Sequence, residues 1–132
     1  MEKLNYKVLK ESGYAGYILE NAPEKVMQFG EGNFLRAFVN YWFDLANEKA
    51  GWNGKCCLVQ PIAPGLANMI NEQEGLYTLY LRGSQNGQKV DDKRVISSVS
   101  RCPLGQARGS GRSRCVPGIR SFRLCQRPHP VR

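Results

Sequence analysis

Six consecutive residues carry the clearest chemical signal in this chain: Gly30-Glu31-Gly32-Asn33-Phe34-Leu35. Two glycines one residue apart let a backbone turn tightly and let a ligand approach it closely. If a strand precedes them and a helix follows, the free N–H groups and positive dipole end of that helix face an incoming anion. That is the chemistry of a dinucleotide pyrophosphate. The usual G-x-G-x-x-G/A fingerprint has a small residue where Leu35 stands. A loop that only turns a strand into a helix uses the same glycines, so context has to separate the two readings. An acidic residue about 20 positions further on is the expected partner for the ribose hydroxyls. The second apolar run ends instead in Gln60-Pro61. Gln60 can accept a hydrogen bond there without a carboxylate's selectivity, which leaves the choice of cofactor open on local chemistry.

Other reactive residue types form no constellation. His129 is the only histidine. Lys89 and Lys93 flank a turn and read as surface charges. The five cysteines contain no C-x-x-C, and Cys115, Cys125 and His129 do not make the paired ligand spacing of structural zinc. No metal site and no catalytic residue is assigned.

The elements around the glycine pair have the right order. Lys25-Val26-Met27-Gln28-Phe29 is a short, mostly apolar run ending at Gly30 and reads as a buried strand. From Phe34 to Lys49 the pattern predicts one helix. Asn33, Arg36, Asn40, Asp44 and Asn47 form a narrow polar stripe, and the remaining circumference is apolar and aromatic. Such a helix should be mostly buried against a sheet. Lys55 to Gln60 is the second strand, and strand-helix-strand order implies parallel pairing. A helical turn over 66–71 and strands over 76–81 and 94–99 follow, with Asn86-Gly87 suited to positive φ between them. Residues 1–22 are interrupted by glycines and predict a loosely structured lead-in.

The chain has 132 residues, 42% of them hydrophobic, and a net charge of +8. The charge is concentrated. Residues 102–132 hold seven arginines and no Lys, Asp or Glu, so the first 101 residues are nearly neutral. That Arg/Gly/Pro-rich segment has no hydrophobic period and predicts disorder. No run of about 18 apolar residues is present to span a membrane. The start lacks the apolar core of a secretory signal, and the expectation is a cytoplasmic protein.

Met27-Gln28-Phe29-Gly30-Glu31-Gly32-Asn33-Phe34-Leu35-Arg36-Ala37-Phe38 resembles the N-terminal signature of the mannitol dehydrogenase family, a group of metal-independent polyol and sugar-acid dehydrogenases. Val59-Gln60-Pro61-Ile62, Gln73-Glu74-Gly75-Leu76-Tyr77-Thr78-Leu79 and Leu81-Arg82-Gly83 extend the likeness over residues 1–101. The resemblance implies an α/β fold: an incomplete Rossmann-like parallel nucleotide-binding sheet with a β-hairpin, followed by a disordered basic tail. It implies NAD as cofactor. By position, Gly30, Gly32, Asn33 and Phe34 would line the dinucleotide, Gln60 would lie near the adenosine ribose, and Arg36 matches the family's arginine. Within the family the likeness is greatest to members that interconvert tagaturonate and altronate by hydride transfer. Specificity for fructuronate or mannitol is the alternative. The family's second, helical domain supplies a catalytic lysine with nearby asparagine and histidine, and residues 1–101 hold no such motif.

Charge, periodicity and family likeness all change after Arg101. The expectation is that 1–101 is a partial dinucleotide-binding domain and that 102–132 is translated from a shifted reading frame ending at a chance stop. A basic tail binding nucleic acid through Arg112 and Arg114 is the less favoured reading, because arginines without interleaved aromatics give only salt-sensitive contact. A sheet and helix left partly uncovered predict poor solubility or a molten state for the isolated chain.

Overall fold

The computed structural model describes residues 3–60 and 65–103. The expectations for the Arg-rich segment beyond Pro103 lie outside the described residues.

Strand β1 (Glu24–Phe29) and strand β2 (Lys55–Val59) pair in parallel, with Phe29 opposite Val59. Strand β5 (Val99–Arg101) pairs in parallel on the other flank of β2, giving the order β1-β2-β5. The central position of β2 explains its composition. Every residue of Lys-Cys-Cys-Leu-Val is buried, as a strand covered on both faces requires. Leu58, Cys56, Val99 and Cys102 pack with Ala67 and Ile70 of α4 (Ala67–Glu72) into one core cluster. Cys102 and Pro103 thus pack with the domain: Asn71 exchanges two hydrogen bonds with the Cys102 backbone, and the Pro103 carbonyl accepts from Gln60 N.

Strands β3 (Tyr77–Gln85) and β4 (Gln88–Ile96) form a separate antiparallel hairpin. Asn86 and Gly87 close it with φ of 53° and 78°, the mirror-image turn that an Asn-Gly pair favours. The predicted return strand over 94–99 is split. β4 ends at Ile96, and Val99 joins the parallel sheet. Hydrogen bonds made by Ser97 and Ser98 to the helix described next cause the break.

The predicted single helix is two: α2 (Asn33–Ala37) and α3 (Val39–Ala50), broken at Phe38 with φ −108°. Gly51 ends α3 in the left-handed conformation, φ 63°. The polar stripe faces inward. Asn40 and Asp44 are fully buried, and Arg36 and Asn47 nearly so, while Phe34, Phe38 and Trp42 are more than half exposed. Hydrogen bonds to Asn40, Asp44 and Asn47 offset the cost of burying the inner part of the stripe. Asp44 Oδ1 accepts from Ser97 N at 2.9 Å and from Ser97 Oγ at 3.1 Å, and its Oδ2 accepts from Arg94 Nε at 2.8 Å. Ser98 Oγ donates to the Asn40 carbonyl, and Asn47 exchanges two bonds with the Gly54 backbone.

The lead-in is partly helical: α1 (Tyr6–Glu11) begins where Asn5 Oδ1 accepts from Val8 N, a side-chain cap. Tyr6 and Leu9 pack on Leu76 and Val95. Beneath them the buried Lys55 Nζ donates to Tyr6 Oη at 2.7 Å. Burial pulls the Lys55 pKa down, and burial, with neighbouring carboxylates, pushes the Tyr6 phenol up to about 12.

Candidate functional site

The glycine loop leaves the C-terminal end of β1 and enters α2. Gly30 N donates to the Val59 carbonyl at 2.9 Å, which carries the β1–β2 pairing into the loop. Gln28 fixes the loop from below: its Nε2 donates to the Gly30 carbonyl at 3.0 Å, and its amide pairs with Asn40. A polar residue set between the apolar Met27 and Phe29 was the sequence's trace of this anchor, and sequence reasoning passed over it.

The two glycines do different work. Gly30 has φ 108°, and a Cβ there would meet Leu35 Cδ1 at 3.3 Å. Its glycine is required by the turn itself. Gly32 has an ordinary φ of −61° and serves as the N-cap of α2. A Cβ built on it would meet nothing within 4 Å. The chain's own packing therefore does not demand glycine at 32, whereas a ligand approaching the backbone from outside would.

Asn33, at the start of α2, is exposed, and its Oδ1 accepts from Arg36 Nη2. Phe34 is 75% exposed, with its ring stacked on Phe38 at 5.7 Å. Arg36 is buried, with its guanidinium 5.4 Å from the centroid of the Tyr77 ring. Tyr77 Oη in turn donates to the Arg36 carbonyl at 2.6 Å, and burial pushes the Tyr77 phenol well above its ordinary pKa. Arg36 Nε has no partner among the described residues.

Gly30, Gly32, Asn33 and Phe34 are thus contiguous, and Gln60 stands one strand across at the same carboxyl edge of the sheet. Gln60 is buried, and its Oε1 accepts from Ala67 N at 2.8 Å, so it ties the end of β2 to the start of α4. The carboxyl edge of a parallel sheet is where open α/β folds bind ligands. An unfilled approach at Gly32, a buried guanidinium with a free N–H and a loop held rigid by Gln28 fit a phosphate-bearing nucleotide. Among the described residues no group of three or more His, Cys, Asp and Glu is placed to hold a metal ion. None of their helices is long and apolar enough to cross a membrane.

Residues 24–108 match the family described as the mannitol dehydrogenase Rossmann domain. The altronate oxidoreductase of Bacillus subtilis is 43% identical over 101 residues, covering 76% of this chain and 20% of that protein. The altronate oxidoreductase of Klebsiella pneumoniae is 48% identical over 80 residues, 60% of this chain and 17% of that one. Among solved structures, Pseudomonas fluorescens mannitol 2-dehydrogenase, in a ternary complex with NAD and D-mannitol, superposes with a TM-score of 0.63 and 28% identity. That match covers 78% of this chain and 22% of that one. The chain spans about a fifth of the length of the curated relatives it matches.

Proposed function

The chain belongs to the mannitol dehydrogenase family, and from that membership we propose that it is the NAD-binding N-terminal part of an altronate oxidoreductase (tagaturonate reductase). The intact enzyme would interconvert D-tagaturonate and D-altronate in hexuronate breakdown, in the cytoplasm. The bound nicotinamide supplies or accepts the hydride. This chain's residues bind and orient. Gly32 admits the pyrophosphate to the backbone, Gly30 shapes the turn, Asn33 and Phe34 line the nucleotide, and Gln60 stands near the adenosine ribose. Residues 1–101 carry this work, and Cys102 and Pro103 only brace the end of β2. No residue of the chain is assigned to proton transfer, so the chain alone binds NADH without oxidising it.

Altronate is preferred to mannitol as the substrate because altronate oxidoreductases match at 43% and 48% identity, against 28% for the mannitol 2-dehydrogenase, and fructuronate remains the other reading. The observation that carries the nucleotide reading is the open approach at Gly32, at the carboxyl edge of β1. Titrating the full chain with NADH, followed by nucleotide fluorescence, tests it. The expected result is saturable binding that Gly32→Val abolishes, and no NADH oxidation when tagaturonate is added. Absence of saturable binding, or a Gly32→Val chain that binds equally well, would overturn the reading.

A further inference from the structure

The end of β2 lacks the carboxylate that a dinucleotide sheet uses to hold the adenosine ribose. The deficiency extends beyond Gln60, since the sequence has no Asp or Glu from Gly51 to Asn71. No residue following β2 on its own loop can therefore take that role.

A carboxylate nevertheless reaches the place. Glu31, the residue between the two glycines, extends across to the end of β2. A Cβ built on Gly65 would lie 2.6 Å from Glu31 Oε1 and 2.4 Å from Gln60 Oε1. The two side-chain heads thus converge on the space beside Gly65. Among the described residues no Lys or Arg forms an ion pair with Glu31. Its charge adds to burial in pushing the Cys102 thiol up to about 11. Gln60 Oε1 is already engaged by Ala67 N, which makes Glu31 the head group better able to accept new hydrogen bonds.

We propose that Glu31 is the specificity residue for the adenosine ribose: its carboxylate accepts hydrogen bonds from the ribose hydroxyls and excludes a 2′-phosphate. The glycine loop then performs two tasks usually split between the ends of two strands. Gly30 and Gly32 admit the pyrophosphate, and the residue between them reads the sugar. A carboxylate satisfies two hydroxyl donors and repels a phosphate dianion at short range, so one side chain both favours NAD(H) and disfavours NADP(H).

This inference rests on the nucleotide-binding reading, and one experiment separates their failures. The full chain and its Glu31→Gln variant are titrated with NADH and with NADPH, using nucleotide fluorescence for binding and far-UV circular dichroism for folding. The wild-type chain should prefer NADH, and Glu31→Gln should narrow that preference by about tenfold or more, since one charged hydrogen-bond acceptor is lost. An unchanged preference in a Glu31→Gln chain that still binds NADH would overturn the role of Glu31 and leave the nucleotide site standing. A wild-type chain that binds both nucleotides equally would also overturn it. A folded wild-type chain that binds neither would remove the nucleotide reading and this inference together.

Discussion

Removing the Asp44 carboxylate should unbolt α3 from the hairpin. Asp44 is fully buried, and its two oxygens serve three donors: Ser97 N, Ser97 Oγ and the Arg94 guanidinium. Arg94 Nη2 also lies 2.7 Å from Oδ2. In Asp44→Ala the serine amide loses its acceptor and the guanidinium loses its buried counter-charge. Breaking a buried ion pair by deleting one partner costs about 3–5 kcal/mol. Two features place this case near the lower bound. The Arg94 side chain keeps 17% exposure, and its Nη1 retains Glu48 Oε2 at 2.7 Å. The expected loss is therefore about 3 kcal/mol, a large share of the about 5–15 kcal/mol that stabilises a domain of this size. With a urea slope of about 1–1.5 kcal/mol per molar, the midpoint should fall by about 2 M or more. Tryptophan fluorescence is a suitable probe, because Trp52 stacks on Phe43 of α3 at 4.9 Å. Combining Asp44→Ala with Arg94→Ala should cost less than the sum of the single changes, since the guanidinium stranded by the first change is absent in the double variant. A single-variant loss below about 1 kcal/mol would refute the claim that a buried network, rather than apolar contact, joins these elements.

Two further expectations follow from particular side chains. The Glu24 carboxyl is held below its ordinary pKa chiefly by its hydrogen bond from Arg101, with Ser100 adding to it. A depressed folded-state pKa contributes stability above the free carboxylate's pKa that is lost as pH falls through the folded value. The advantage of the wild-type chain over Glu24→Gln in urea midpoint should therefore be full at pH 6 and shrink below about pH 4, and a difference that stays constant down to pH 3 would contradict it. Cys56, Cys57 and Cys102 are fully buried, and burial pushes the Cys56 thiol up to about 12. These three should resist maleimide at neutral pH until urea unfolds the chain, and prompt native labelling of Cys56, read by peptide mass spectrometry, would count against the packing described.

The strand, glycine turn, helix, strand order was legible because each piece announces itself locally. Phe29-Gly30 ends an apolar run, Gly51 stops a helical period, and Pro61 follows the second apolar run. The Asn86-Gly87 hairpin was equally plain, since few dipeptides tolerate two positive φ values in succession. The direction of the polar stripe was not legible. Periodicity reveals that Arg36, Asn40, Asp44 and Asn47 share a face, but only their partners decide whether that face turns inward. Those partners, Gln28, Ser97, Ser98, Arg94 and Gly54, are distant in sequence or carry no pattern of their own. The split of the last predicted strand has the same origin. Ser97 and Ser98 read as ordinary strand residues until Asp44 and the Asn40 carbonyl draw them out of the ladder. At the site, the glycine loop and Gln60 were visible as motif and strand end. The reach of Glu31 toward Gly65 was not, because it depends on how closely two strand ends approach.

The hairpin has a mechanical character that the rest of the fold lacks. Strands of nine residues run about 30 Å, yet along β3 and β4 only Val95 and Ile96, at the base, are buried. Beyond that base, rungs such as Leu81–Asp92 and Ser84–Lys89 are held by their own ladder, with Arg82 and Lys93 set against the exposed Tyr80 ring. The arm is a cantilever: load applied near Asn86 is carried within the hairpin, by its backbone ladder, the Arg82–Asp91 pair and the Tyr80 contacts, until it reaches Arg94, where Asp44 and Glu48 clamp it to α3. Changes at the tip are thereby isolated from the nucleotide edge, while a change at the Arg94 clamp is felt by both.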